Sequence, residues 1–194
     1  MHYKMIPDAA VAIANAAQTL QIGDAANIKR GPFPLYFNFQ TMISIEPIDS
    51  TQHTSALKFI NENGLPFNDV SEQTMLFGLF EHKVVIGTIG LEIYGKVGLL
   101  RSLAVCTKKR STGIGKRLVG FIEKYASDKG VRKLLLLTIT AEGFFQELGY
   151  KNISRNDVPN EIKTSSEFST VCPSSALILQ KKIENRISST GAVE

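Results

Sequence analysis

The segment 131–140, with the sequence VRKLLLLTIT, restricts the fold more than any other part of the chain. Its apolar residues run almost without interruption over the length of one strand, a pattern typical of a strand covered on both faces. The segment before it has apolar side chains at helical spacing: Leu118, Ile122, Tyr125 and Ala126. A helix that leads into such a strand indicates a layered domain, in which helices cover a sheet.

The other elements follow the order strand, helix, several strands, helix, strand, helix, strand, which is typical of an α/β or α+β layer domain. Apolar and β-rich runs predict strands over 41–49, 73–82, 84–94, 97–105 and 175–183. Helices are predicted over 53–64, 113–129 and 141–149, the last capped by Thr140. Thr164 and Glu167 have the spacing of a capping box before Phe168.

The predicted domain covers residues 41–184, between an N-terminal extension, 1–40, and a short tail, 185–194. The extension contains one predicted helix, which begins near Pro7 and ends at Gly23. Asp8 and Asn15 interrupt its alanine-rich run, so we do not expect an export signal. No segment approaches the roughly 20 apolar residues of a membrane span, and no membrane partner is expected.

Composition excludes several classes of site. The 194 residues carry 22 Lys and Arg against 18 Asp and Glu, a net charge of +4 that is too small to indicate a nucleic-acid partner. Cys106 and Cys172 are far apart, and the three histidines share no ligand spacing, so no metal site and no disulfide framework are expected. We therefore expect a reducing, cytoplasmic setting.

A glycine-containing loop, 106–112, joins the predicted strand 97–105 to the following helix. Free backbone N–H groups and the helix dipole attract anions at such a junction, and Gly113 and Gly115 allow a phosphate to approach the backbone. Arg110 stands where a P-loop needs its first glycine, and Leu118 stands where a dinucleotide motif needs its third. The loop therefore fits neither of these nucleotide motifs.

The segment Arg110-Ser-Thr-Gly113-Ile-Gly115 resembles the R/Q-x-x-G-x-G/A signature of the GNAT superfamily of N-acetyltransferases, and 144–150, FFQELGY, resembles a second segment of that family. The stretches 63–70, 90–105, 137–150 and 159–176 look like the arsenic-resistance branch, and the last two are the most specific. The resemblance implies a mixed, mostly antiparallel sheet of about six to seven strands flanked by helices. It also implies acetyl transfer from acetyl-coenzyme A to a small amino-acid-like amine, with arsenic- or phosphorus-containing glutamate analogues as candidates.

In the resembled family, the strand before the loop separates from its neighbour and binds the pantetheine arm through its main chain. Carried over to this sequence, the expected cofactor contacts are Leu103, Ala104, Val105, Arg110, Ser111, Thr112, Gly113, Ile114, Gly115, Lys116 and Phe145. The amides of the loop meet the pyrophosphate, while Arg110 and Lys116 add positive charge. Lys108, Lys109 and Arg117 are either contacts of the 3′-phosphate or a solvated rim.

Glu92 is the predicted general base, and an ordinary acid on the strand surface is the alternative. The family often uses a tyrosine as general acid, but Phe144 and Phe145 stand in that region and have no proton to give. Substrate contacts are predicted for Arg101, Ser102 and Thr138. Arg101 either grips a substrate carboxylate or pairs with a neighbouring acid.

Three further readings stay open at this stage. Cys106 could carry an acetyl group, but no histidine lies nearby in the sequence to activate it. A basic nucleic-acid module would use the loop cations, although no aromatic residues are interleaved with them. The absence of the family's general-acid tyrosine would also fit a chain that binds coenzyme A only as a sensor or scaffold. The sequence leaves a homodimer open.

Overall fold

The computed structural model describes residues 43–183. Its strands are β1 Ser44–Pro47, β2 Met75–Glu81, β3 Val84–Tyr94, β4 Val97–Val105, β5 Lys133–Thr138, β6 Lys151–Ile153 and β7 Leu177–Lys182. Its α-helices are α1 His53–Glu62, α2 Ile114–Asp128, α3 Glu142–Glu147 and α4 Asn160–Lys163. The helix predicted from Pro7 to Gly23 and the tail 185–194 lie outside the described residues.

The seven strands form one sheet in the order β1-β2-β3-β4-β5-β7-β6. All neighbouring pairs are antiparallel except β4 and β5, which run parallel because α2 crosses over between them. The predicted α+β layered fold, with a mixed and mostly antiparallel sheet of six to seven strands, is confirmed. The parallel pair lies at the centre of the sheet, where the glycine loop leaves β4.

The apolar run of β5 is covered on both faces, as predicted. Leu134 and Leu136 pack in the core cluster under α2, whereas Leu135 and Leu137 pack in a second cluster on the other face. The second cluster includes Ile162 of α4. Full burial of one large apolar side chain contributes about 1.5–3 kcal/mol of stability. The buried side chains on both faces therefore hold β5 in place. This rigid strand forms one wall of the site described below.

Four short elements between β5 and β7 are absent from the sequence-based prediction. These are β6, α4, a 3₁₀ turn at Arg155–Asp157 and a π-helical turn at Glu167–Val171. The capping-box prediction is wrong, because Thr164 ends α4 and its hydroxyl donates to the Glu161 carbonyl at 2.8 Å. Glu167 is instead a buried side chain that pairs with a residue of β4.

The cap predicted for α3 is also wrong. The Ala141 N–H donates to the hydroxyl oxygen of Thr138 at 3.0 Å, so Thr138 satisfies this amide in place of Thr140. Thr138 ends β5, and its hydroxyl oxygen therefore fixes the direction in which the chain turns into α3. Thr138 also lines the cavity described below.

Candidate functional site

Strands β4 and β5 pair only at their beginnings and then separate. Their register joins Val97 to Lys133 and Leu99 to Leu135, and within the described residues it extends no further. The separation opens a cavity of about 840 Å³. Leu100–Val105 line one wall and Leu136–Thr140 line the other. A volume of this size is within the range of about 300–1,000 Å³ that small-molecule sites occupy.

A β-bulge bends β4 at the middle of this cavity. Arg101 pairs with Gly90 and Ala104 with Thr88, so Ser102 and Leu103 together oppose one residue of β3. Ser102 has a φ of 53°, and its carbonyl accepts a hydrogen bond from the Thr88 hydroxyl at 2.9 Å. Ser102 lines the cavity, and its hydroxyl is buried with no hydrogen-bond partner among residues 43–183.

The bulge corrects one expectation about β4. Regular alternation places Arg101 and Leu103 on the same face of the strand. Because of the extra residue, Leu103 packs with Leu100 against the core under α2, while Arg101 turns to the opposite face of the sheet. Leu103, Ala104 and Val105, for which cofactor contacts were predicted, all line the cavity.

The glycine loop forms a tight backbone turn before α2. Ser111 has a φ of 62° and Gly113 a φ of 87°, and the Thr112 hydroxyl donates to the Lys109 carbonyl at 2.7 Å. The Arg117 N–H donates to the Gly113 carbonyl at 3.0 Å and thus forms the first intrahelical bond of α2. The amides of 113–116 precede that bond and have no carbonyl one turn behind them. Such a helix start binds anions.

Helix α3 lies directly against the start of α2. A Cβ placed on Gly115 would come within 3.2 Å of Phe144 Cζ, so only glycine allows this approach without a shift. Phe144 is half-buried and lines the cavity, and Phe145 also lines it while packing edge-on against Tyr150 in the core. The aromatic segment of α3 therefore closes one side of the cavity beside the loop.

Most of the predicted cofactor residues lie together around this cavity. Its lining includes Leu103, Ala104, Val105, Arg110, Ser111, Gly113, Gly115, Lys116 and Phe145. Thr112 and Ile114 do not line it; Thr112 supports the loop, and Ile114 packs against the core. Lys109 lines the cavity and pairs with Glu81 at 2.8 Å, whereas the Arg117 side chain donates to the Ile43 carbonyl.

Arg110 and Lys116, beside the loop, form hydrogen bonds and an ion pair that are exposed to solvent. Arg110 donates to the Val105 carbonyl at 3.2 Å and to the Asn63 side chain at 3.0 Å. Lys116 lies 3.1 Å from Glu147, and both side chains are exposed. An exposed pair of this kind is worth about 0–1 kcal/mol, so an anionic ligand can take Lys116 at little cost.

Arg101 lies at the other end of the cavity, surrounded by three carboxylates. Its guanidinium nitrogens are 2.6 Å from Asp69, 2.7 Å from Glu92 and 3.3 Å from Glu167. The Arg101 side chain is only 2% exposed, so these partners hold it in the interior. Burial lowers the pKa of Arg101, but the hydrogen bond that it donates to Asp69 and the charges of Glu167 and Glu92 outweigh burial, so its pKa is raised. A substrate carboxylate would have to displace one of the three acids.

Glu92 is more tightly bonded than a general base is expected to be. Its Oε1 accepts hydrogen bonds from Thr74 at 2.8 Å and from Arg101 at 2.7 Å, and its Oε2 accepts one from Tyr94 at 2.7 Å. Glu92 is 4% exposed and does not line the main cavity. The geometry therefore does not support the prediction of Glu92 as the general base. Glu92 instead holds the Arg101 side chain in position by accepting its hydrogen bond.

Glu167 lines the cavity, although it is not among the site residues predicted from the sequence. Its Oε1 accepts only a long contact from the Cys172 thiol, at 3.9 Å, and its Oε2 accepts no hydrogen bond from residues 43–183. Burial raises the pKa of Glu167 to about 7; Arg101 lowers it, and the charges of Asp69 and Glu92 raise it further. The local pattern at Glu167, its capping-box spacing from Thr164, does not indicate a functional site, because its partner Arg101 lies on a distant strand.

No group of three or more His, Cys, Asp or Glu side chains in residues 43–183 is arranged to hold a metal ion. None of the described helices is both long and apolar enough to cross a membrane. Cys106 and Cys172 are both free and partly buried.

Comparison with known proteins points to one family. Residues 40–150 match the model of the acetyltransferase (GNAT) family. An uncharacterized N-acetyltransferase from Chlorobaculum tepidum is 39% identical over 79 residues, 40% of this chain and 50% of that protein. An amino-acid acetyltransferase from Ralstonia nicotianae is 31% identical over 88 residues, 44% of this chain and 20% of that protein. The chain thus spans half of the length of the Chlorobaculum protein and a fifth of the length of the Ralstonia protein.

A solved structure of N-acetylglutamate synthase from Neisseria gonorrhoeae, complexed with coenzyme A and N-acetyl-glutamate, has a similar fold. The TM-score is 0.62 with 21% sequence identity, and the match covers 73% of this chain and 35% of that one. This likeness bears on the fold alone.

Proposed function

The chain belongs to the acetyltransferase (GNAT) family, and from this premise we propose that it transfers an acetyl group from acetyl-coenzyme A to the primary amine of a small amino-acid-like molecule. The observation that carries the proposal is the separation of β4 from β5 beside the amides that begin α2. It provides a channel with free main-chain groups that ends at an anion site. A pantetheine arm and a pyrophosphate need these two features together.

The residues present fit coenzyme A. The main chain of Leu103, Ala104 and Val105 is free on the side toward β5 and can hydrogen-bond an extended pantetheine arm. The amides of 113–116 suit a pyrophosphate, and Arg110 and Lys116 add positive charge next to them. When bound, the cofactor supplies an acetyl group activated as a thioester.

The main-chain N–H groups of β4 also supply catalytic stabilisation. An amide aimed at the thioester carbonyl favours the negative charge that develops on its oxygen during attack. Leu103, Ala104 and Val105 follow the bulge at Ser102 and line the cavity, and the Thr88 hydroxyl holds that bulge by donating to the Ser102 carbonyl. This chain therefore positions the acetyl group through backbone that is itself fixed by a buried hydrogen bond.

The acceptor class rests on two lines of support. The Ralstonia relative is an amino-acid acetyltransferase. The stretches 137–150 and 159–176 resemble the arsenic-resistance branch. We therefore include arsenic- and phosphorus-containing glutamate analogues among the candidate acceptors. Both cysteines are free, which fits a reducing, cytoplasmic setting.

The test is release of free thiol from acetyl-coenzyme A in the presence of amino acids, glutamate analogues, polyamines and peptide N-termini. Each active acceptor is paired with its N-acetylated form, which has no free amine and should release no thiol. Acetylated product found by mass spectrometry supports the proposal. Binding of coenzyme A without transfer to any amine indicates the sensor reading, and salt-dependent retention on DNA indicates the nucleic-acid module.

A further inference from the structure

The cluster of Asp69, Glu92 and Glu167 around Arg101 contains more acid than one guanidinium can neutralise. We propose that Glu167 is the general base of the acetyl transfer and takes the proton that the acceptor's ammonium group must lose. This assignment rests on the proposed function. It gives a catalytic role to a residue of the π-helical turn between α4 and β7, in place of Glu92.

The three acids differ in how fully they are bonded. Asp69 accepts hydrogen bonds from Arg101 at 2.6 Å and from Ser166 at 3.0 Å, and Glu92 accepts three from protein donors. Glu167 has only the long thiol contact and the 3.3 Å approach of the Arg101 Nε. Hydrogen bonds to a carboxylate stabilise its charged form, so Glu167 is the acid that gains most from a proton.

Position in the cavity also separates the three acids. Glu167 lines the main cavity together with Arg101, Ser102 and Cys172, whereas Asp69 and Glu92 do not. It shares this wall with the bulge of β4, where the acetyl group is expected. The unpartnered hydroxyl of Ser102 lies beside the same bulge. Glu167 is therefore the carboxylate of this cluster that lies in the cavity wall, where an acceptor entering the cavity would meet it.

The charges of the cluster favour a cationic acceptor. With all three acids ionised, the cluster carries a surplus of two negative charges, which attracts an ammonium group and strengthens the base. The opposite end of the cavity carries Lys109, Arg110 and Lys116, which suit the anionic cofactor. The two ends thus direct the cofactor and the amine to different places. The pKa of Glu167 is raised to about 7, which allows this carboxylate to take up a proton near neutral pH.

The proton balance of the step is complete. One N–H bond of the ammonium breaks, its electron pair stays on nitrogen, and the proton passes to the Glu167 carboxylate. The neutral amine forms the new C–N bond as the C–S bond of the thioester breaks. A second N–H proton of the amine goes to the departing thiolate, and Glu167 releases the first proton to solvent.

The experiment compares Glu167→Gln with Glu161→Gln, an exposed acid of the neighbouring helix α4. Glu167→Gln should lower kcat by 10²-fold or more, since general base catalysis contributes about 10²–10⁴-fold. It should also remove the rise of kcat with pH around neutrality. Coenzyme A affinity, measured by calorimetry, should stay unchanged in both variants, and Glu161→Gln should keep wild-type kcat and pH dependence.

A second measurement does not depend on activity. The pKa of the Glu167 carboxyl, followed by carbon NMR as the signal that Glu167→Gln removes, should lie well above that of an exposed glutamate. A wild-type pH profile in Glu167→Gln, or an ordinary pKa for Glu167, would overturn the assignment. Failure of the wild-type protein to transfer acetyl to any amine would instead overturn the proposed function, and the NMR value would still stand on its own.

Discussion

Arg101 Nη1 lies 2.7 Å from Glu92 Oε1, and this ion pair joins β4 to β3 with both side chains nearly inaccessible to solvent. Buried ion pairs are costly to form, but removing one partner is costlier because it leaves an uncompensated charge. Arg101 is the common partner of three acids, and the arrangement of the acceptor end of the cavity therefore depends on it.

Arg101→Met should destabilise the protein by about 3–5 kcal/mol, because it leaves Asp69, Glu92 and Glu167 buried without a counter-charge. Urea unfolding followed by circular dichroism measures this loss. Lys58→Met is the matched control, since it removes an exposed pair with Glu62 at 3.8 Å and should change stability by less than about 1 kcal/mol. Equal effects of the two variants would contradict the central role of Arg101.

Gly113→Val should weaken coenzyme A binding in a protein that still folds. Gly113 has a φ of 87°, which a β-branched residue adopts only with strain, while a Cβ at this position meets nothing within 4 Å. The damage should therefore come from a changed loop backbone, measurable by calorimetric titration. Gly120→Ala on α2 is the control; it also meets nothing within 4 Å, and should leave binding unchanged with slightly higher stability.

Gly115→Ala should lower stability and cofactor affinity through Phe144. The added methyl group would lie 3.2 Å from the Phe144 ring, so α2 and α3 must move apart by a few tenths of an ångström. The double variant Gly115→Ala with Phe144→Leu should recover part of the loss. Thermal unfolding and calorimetry of the single and double variants give the coupling, and strictly additive effects would contradict a direct contact.

Glu167 should make the protein less stable as pH rises from about 4.5 to about 7. Its pKa in the folded state is raised, so the folded protein binds more protons than the unfolded chain within this window. Stability falls as that proton is lost, by on the order of 2–3 kcal/mol. Asp69 has a lowered pKa and acts in the opposite direction, but only at pH near and below 4. Chemical unfolding at several pH values should show a decline that Glu167→Gln lacks. An identical pH dependence in both proteins would refute this.

Sequence patterns were sufficient for the parts of the fold that are set locally. The glycine loop, with Gly113 and Gly115 between a strand and a helix, indicates an anion site because backbone conformation and helix polarity depend on neighbouring residues. The apolar run of β5 likewise predicts burial on both faces, which Leu134 and Leu135 show by packing in different clusters. These features need no knowledge of distant contacts.

The acceptor end of the cavity could not be predicted in this way. Strict alternation along β4 fails at Ser102, because a bulge depends on register with β3 and not on the residue type. Glu167 meets Arg101 only because the π-helical turn folds back over the sheet. The spacing of Thr164 and Glu167 predicted a capping box. In the structure Thr164 instead donates to the Glu161 carbonyl, and Glu167 pairs with Arg101.

The most direct test of the account is acetyl transfer by the wild-type protein, measured by mass spectrometry with isotopically labelled acetyl-coenzyme A and the panel of small amines. The account predicts that the label appears on the amine nitrogen of at least one amino-acid-like acceptor, with one free thiol released for each acetyl group transferred. Tight binding of coenzyme A with no labelled amine, or thiol release that does not depend on an acceptor, would contradict it.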